Sequence, residues 1–240
     1  MNKEVALLYD TRGRSREELR RTLLDECAPR ILELGAPRLS LCIADEHAAV
    51  RSPSPFPLFG RRICALLNVW SEAAAAVEPL LAPVRAAGFE VHAYDVEESV
   101  YADYGDNAHA KPRDWPDGQR SPGITAVTLM RRPRRLDRDE WVRRWHGRMS
   151  PVSERIQPRT RYVRNSVLWS VTKSAPPYEG IVKEAWPSKQ HVEDPMLFYC
   201  ADGDKQRLKQ NVARMMASVQ GFLDLPRIRS ATLSEYLLKT

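Results

Sequence analysis

Shifting the 240-residue sequence by 122 positions lays its beginning over its middle, and the match constrains the fold more than any other feature. Val5 falls on Val127, Leu7 on Leu129, Arg12 on Arg134, Arg16 on Arg138, Glu18 on Glu140, Arg21 on Arg143 and Pro29 on Pro151. Seven gap-free identities in 25 positions exceed the one or two expected by chance, although the abundance of Arg inflates the count. Leu19 and Leu23 meet Trp141 and Trp145, and Cys27-Ala28-Pro29 meets Met149-Ser150-Pro151. The chain reads as a duplication.

Each copy carries the same order of elements. Residues 4–10 (EVALLYD) read as a buried strand. A helix follows over 15–35, with Ser15 as N-cap, Glu18 three residues on and Gly35 as its stop. Residues 38–44 and 62–70 read as strands around a loop that holds Pro53, Pro55 and Pro57. Residues 72–87 read as an Ala-rich helix kinked or broken at Pro79 and Pro83, and 89–96 as the closing strand. From Tyr104 to Pro122 the composition turns to Gly, Asp, Asn, Lys and Pro without a hydrophobic period, which marks a linker. Strands over 123–130, 160–171, 178–186 and 228–238 then alternate with helices over 136–156 and 205–223. The expected class is α+β, with two ferredoxin-like βαββαβ units at 1–104 and 123–240 joined by 105–122. Such a unit leaves one sheet face bare. Two units in one chain are expected to bury those faces against each other, with a closed, mostly apolar compartment between them as the place for a small ligand.

The helix over Leu136–Ile156 has Asp137 as N-cap and Glu140 three residues on. At about 100° per residue Trp141, Trp145, Val152 and Ile156 share one face and Met149 borders it. Arg143 and Arg144 lie off that stripe. His146 sits at its edge, where a titratable ring can reach a pocket or simply face water.

Composition narrows the field. The 43% hydrophobic and 28% charged content are those of a globular protein. No apolar run approaches the roughly 20 residues that span a bilayer, and no signal peptide is evident, so a cytoplasmic protein without a membrane partner is expected. Cys27, Cys42, Cys64 and Cys200 form no C-x-x-C pair and read as buried thiols of a reducing compartment. The net charge of +6 is concentrated in Arg131-Arg132-Pro133-Arg134-Arg135, a turn between strand and helix without interleaved aromatics, which disfavours nucleic acid. The five histidines form no H-x-x-x-H and no Cys/His cluster has zinc spacing. G-x-G-x-x-G and G-x-x-x-x-G-K-[ST] are absent, so no nucleotide cofactor is expected, and without G-x-S-x-G neither is a hydrolase elbow.

A strand, an Arg-containing turn, an acidic residue, two tryptophans, a small-residue-Pro pair and Tyr-Val-x-Asn together resemble the EthD-like domains of the dimeric α/β-barrel superfamily. The matching residues are Arg131-Arg132, Glu140, Trp141, Trp145, Ser150-Pro151, Tyr162-Val163, Asn165, Ile181-Val182 and Glu184. The resemblance covers roughly 123–238, and the N-terminal half only through the repeat. It implies a barrel built from two ferredoxin-like units. It also implies chemistry on small hydrophobic, aromatic, polyketide- or ether-like compounds, of a cofactor-independent lyase or cyclase or of an oxidoreductase-associated protein. In such members a His directly before the small-residue-Pro pair is the usual acid/base.

Here that position is Met149, and its counterpart is Cys27. A thioether transfers no proton, so the role does not carry over. The remaining catalytic candidates are His146, Tyr162 and Glu184, with Trp145, Met149, Asn165 and Cys27 as ligand-binding candidates. By the period-2 rule Tyr162 and Asn165 face opposite sides of their strand, so only one of them reaches a given compartment. A non-catalytic small-molecule carrier that has lost the family His is the competing reading. Self-association is compatible with the sequence and not required to complete the core.

Overall fold

The structure, a computed structural model, describes residues 1–51, 62–72 and 77–240. The proline-rich loop expected around Pro53, Pro55 and Pro57 lies outside the described residues. Eight strands, all antiparallel to their neighbours, close into a barrel. They are β1 Asn2–Asp10, β2 Leu39–Ile43, β3 Ala65–Ser71, β4 Phe89–Ala102, β5 Ile124–Met130, β6 Arg161–Ser170, β7 Gly180–Trp186 and β8 Arg229–Lys239. The order around the barrel is β1-β3-β2-β8-β5-β7-β6-β4. Each half keeps its four strands together, and the halves join edge to edge through β2 with β8 and β4 with β6. Closure pairs the edge strands that two sheets merely stacked face to face would leave open. It also explains why β4 runs to Ala102, beyond the Val96 at which its hydrophobic pattern ends. The extra residues, Glu97 to Ala102, pair with β6 across the seam.

Alternation sorts the side chains. Val5, Leu7, Cys42, Leu66, Val127, Leu129, Ile181 and Leu233 point into the barrel and pack as one core. Polar and charged residues follow at one end of the same lumen. Lys3 donates to Asn165 (2.8 Å) and pairs with Glu98. Glu235 accepts from Lys183 (3.0 Å), Arg161 (2.8 Å) and the Tyr104 hydroxyl (3.1 Å). The compartment expected to hold a ligand is thus occupied by packed side chains and ion pairs.

Helices cover the outer faces. In the N-terminal half, α1 Arg16–Arg21, α2 Ala28–Glu33 and α3 Val77–Ala86 lie over Ala6, Leu8, Leu41, Leu67 and Val91. The helix α3 continues through Pro83. In the C-terminal half, α4 Arg138–Arg144, α5 Ser150–Ile156 and α8 Lys205–Phe222 cover the outer face. Two short helices, α6 Gln190–Glu193 and α7 Pro195–Phe198, precede α8.

The first helices of the two halves match down to their defects. Ser15 and Asp137 both cap by accepting from the backbone N–H three residues on, at Glu18 and Glu140. Each helix then widens into a π turn, Thr22–Cys27 and Trp145–Met149, with Ala28 N–H donating to Leu23 and Ser150 N–H to Trp145. The cause is the next residue. Pro29 and Pro151 have no N–H for a carbonyl four residues back, and their rings crowd that carbonyl, so the helix opens by one residue to pass them. Pro-bearing turns 122 residues apart therefore break the helix in the same way.

The segment read as a linker contains no strand but is tied down. Gly118 N–H donates to Leu237 (2.7 Å), Ser121 N–H to Glu235 (2.8 Å), and the Tyr104 and Trp115 rings meet at 4.8 Å.

Candidate functional site

A cavity of about 350 Å³ opens outside the barrel, between the outer face of the C-terminal strands and the helices above them. That volume is near the lower end of the range of about 300–1,000 Å³ usual for small-ligand sites. The strands supply Thr128, Met130, Tyr162, Val182, Glu184 and Trp186, all on the opposite face from the lumen residues. The π turn supplies Trp145 and Met149, since the extra residue in that turn sets both over the sheet. The helix α8 closes the roof with Met215, Val219 and Phe222, spaced for one helical face. Trp186 stacks on Phe198 with ring centroids 5.4 Å apart and 14° between the planes. Its indole N–H is buried and has no hydrogen-bond partner among the described residues.

One wall is polar. The Trp145 indole N–H donates to the Tyr162 phenol oxygen at 3.0 Å. Ser150 Oγ donates to the Trp145 carbonyl (3.1 Å) and lies 3.3 Å from the same phenol oxygen. A serine has one proton to give, so the phenol proton is free to point at Ser150 or at a ligand. Burial, and then the nearby Glu184, push the Tyr162 phenol above its ordinary range. It therefore stays protonated and serves as a donor or acid, not as a base. Glu184 is held by Arg159, whose buried guanidinium donates to it at 2.8 Å, reaches Glu154 at 3.2 Å and lies 3.9 Å from the Tyr162 ring centroid. Burial opposes the Arg159 charge, and Glu184 and Tyr162 more than restore it.

Four of the seven residues singled out in the sequence line this cavity, namely Trp145, Met149, Tyr162 and Glu184. The other three are elsewhere. His146 lines a separate cleft, one residue round the helix, with its ring edge-on to Trp145 at 4.6 Å. Burial, and then the adjacent Arg164 charge, lower its pKa to about 4, so it is neutral at pH 7. Asn165 points into the lumen, donating to the Ile181 carbonyl at 2.9 Å, as alternation with Tyr162 requires. Cys27 belongs to the core of the N-terminal half, 3.8 Å from the Pro83 carbonyl, and burial pushes its thiol up to about 11. The counterpart of the Met149 position is thus plain packing. Trp186 was within reach of the sequence, since it lies two residues beyond Glu184 on the same strand face. Arg159 was not, because nothing in the pattern around Pro158 distinguishes a buried Arg from a solvated one. Among the described residues no group of three or more His, Cys, Asp or Glu is placed to hold a metal ion. No described helix is long and apolar enough to cross a membrane.

No protein-family profile matches the chain, and no curated protein does at a significant level. Solved structures do. An anthrone oxidase-like protein is similar over the whole chain and 94% of its own, at 13% identity and a TM-score of 0.57. A protein from Lactobacillus acidophilus NCFM, provisionally described as a monooxygenase, covers 99% of this chain and 96% of its own at 9% identity and a TM-score of 0.45. A mutant chlorite dismutase from Candidatus Nitrospira defluvii covers 99% and 92% at 6% identity and a TM-score of 0.48. Likeness at these identities is likeness of fold. What is shared is a mixed α+β fold around an eight-stranded antiparallel barrel, closed here within one chain.

Proposed function

We propose that this chain is an EthD-like enzyme on a duplicated ferredoxin-like frame, acting on a small aromatic or otherwise hydrophobic compound held in the C-terminal cavity. Strand orders β4-β1-β3-β2 and β8-β5-β7-β6, with matched caps and π turns 122 residues apart, support the duplication. The observation that carries the function is the cavity itself. Its walls are largely aromatic and Met-rich, and among its polar groups the buried Tyr162 hydroxyl and Trp186 N–H and the half-buried Glu184 offer donors and acceptors to orient a ligand. The anthrone oxidase-like neighbour is named for an aromatic ketone substrate class, which is compatible with such walls.

In this reading Trp186 and Phe198 take one edge of a planar ligand. Tyr162 donates its proton to a ring oxygen and, with its own oxygen accepting from Trp145, stabilises negative charge developing there. Glu184, held by Arg159, accepts a hydrogen bond from a ligand hydroxyl. His146 takes no part, because it faces the other cleft. The test pairs binding with turnover on a panel of hydroxylated two- and three-ring aromatic ketones. Tyr162→Phe is expected to keep binding within a few-fold and to lose on the order of 10²-fold in rate. A variant with undiminished rate removes Tyr162 from the chemistry.

A second reading, a carrier without turnover, is favoured by Met149 in place of a His and by the absence of any His from the cavity lining. Tight binding across the panel with no product for any member selects it.

A further inference from the structure

The end of α5 brings to the C-terminal cavity a group that the chemistry at Tyr162 leaves unused. Pro158 disfavours helical backbone at the residue before it, so the helix stops at Ile156 and Gln157 stands extended, at φ −135° and ψ 135°. Gln157 is 5% exposed and lines the cavity. Its carboxamide makes no hydrogen bond to any described residue, and both of its polar atoms stay accessible. A side-chain amide so nearly enclosed ordinarily has its bonds made within the protein. Here the space left to it is the cavity.

Glu184 is half satisfied in the same way. Its Oε1 accepts from Arg159 at 2.8 Å, whereas its Oε2 has no partner and remains accessible. Arg159 ties the two groups together, since its backbone N–H donates to the Gln157 carbonyl at 2.9 Å and its guanidinium to Glu184. Glu184 also stands directly across the β6–β7 ladder from Tyr162, so both groups belong to the end of the cavity where Tyr162 acts. No Lys or Arg lines the cavity, and Arg159 is committed to Glu184 and Glu154.

We propose, resting on the reading of this cavity as an aromatic-ligand site, that Gln157 is a specificity-determining residue which, with Glu184, selects ligands carrying a neutral phenolic hydroxyl. The ligand O–H donates to Glu184 Oε2, and its oxygen accepts from the Gln157 carboxamide, so one group answers both. A methyl ether has no proton for Glu184 and leaves that oxygen desolvated without a bond. An aryl carboxylate brings a second negative charge to Glu184 with no free cation to meet it.

Equilibrium dialysis of the full chain at pH 7 against 2-naphthol, 2-methoxynaphthalene and 2-naphthoate tests this. The wild-type protein is expected to hold 2-naphthol at least about tenfold more tightly than either analogue. Gln157→Met keeps the length of the side chain and removes the amide. It is expected to lose most of the preference for 2-naphthol over the ether, while its affinity for the ether stays within about twofold of wild type. A residue that merely shaped the wall would weaken both ligands alike, and that result overturns the role of Gln157, as does a folded Gln157→Met protein with the full preference. Wild-type protein that holds either analogue as tightly as 2-naphthol overturns the selection and leaves the aromatic-ligand reading standing. Binding of none of the three overturns that reading and the selection with it. Should Gln157→Met fail to fold, Gln157→Ala, which adds no bulk, is judged by the same ratio.

Discussion

Replacing Glu235 by Gln probes the buried ion cluster at the polar end of the lumen. Its carboxylate, 2% exposed, lies at the polar end of the lumen. There it accepts from Arg161 on β6, Lys183 on β7 and Tyr104 before the linker. Burial alone would raise its pKa, but Lys183 and Arg161 outweigh burial and hold it at about 2, against an ordinary 4.5. The gap corresponds to about 3 kcal/mol of stabilisation by linkage. The folded pKa is the lower one, so this stability is fully present above pH 4.5 and disappears as the pH falls from there towards 2. Gln keeps the shape and removes the charge, which leaves buried Lys183 without its carboxylate and Arg161 with Asp103 alone, a loss expected at about 3–5 kcal/mol near neutral pH. Denaturant unfolding of both proteins across pH 2–7 measures it. The difference should be largest at pH 5–7 and shrink steadily below 4.5, while effects of other carboxylates cancel because both proteins share them. A cost under about 1 kcal/mol at pH 7, or a difference that does not change with pH, would refute the claim that the pair of cations is held by this carboxylate.

Three further outcomes follow from packing and are read from unfolding free energies. Gly180→Ala places a methyl 2.8 Å from Met130 Cε, 2.9 Å from Trp141 Cη2 and 3.1 Å from Trp145 Cη2, so it should cost about 1–3 kcal/mol by overpacking. Trp141→Ala empties a fully buried indole and should cost about 3–5 kcal/mol; a loss under about 1 kcal/mol would show that the indole contributes little to the core. Met149→Leu conserves volume on the cavity wall, so it should cost under about 1.5 kcal/mol and leave any turnover nearly unchanged, because it removes no proton donor.

The sequence carried the elements well, because most strands are short apolar runs bounded by turns and the capping residues precede their helices. Ser15 and Asp137 were legible as caps, and the 122-residue offset exposed helices that break alike at Pro29 and Pro151. What alternation does not say is which sheet face a ligand will use. Tyr162 and Asn165 were correctly placed on opposite faces, yet the lumen turned out filled and the cavity lies on the helix side. The reason is packing density. Eight strands enclose a space that side chains fill, whereas two indoles and a π turn hold the helices off the sheet. His146 illustrates the same limit. One position round the helix from Trp145 is enough to put it in a different cleft, and a stripe drawn at about 100° per residue blurs where the helix widens into a π turn. Arg159 and Arg164, buried yet written like any surface Arg, left no mark in the pattern at all.

The most direct measurement of the central claim is a crystal structure of the protein soaked with a three-ring hydroxyaryl ketone. The expected result is density for the rings between Trp186 and Met215, with a ketone or hydroxyl oxygen within hydrogen-bond distance of the Tyr162 hydroxyl and no density in the barrel lumen. Density confined to the lumen or to the His146 cleft, or an empty C-terminal cavity at saturating ligand, would contradict it.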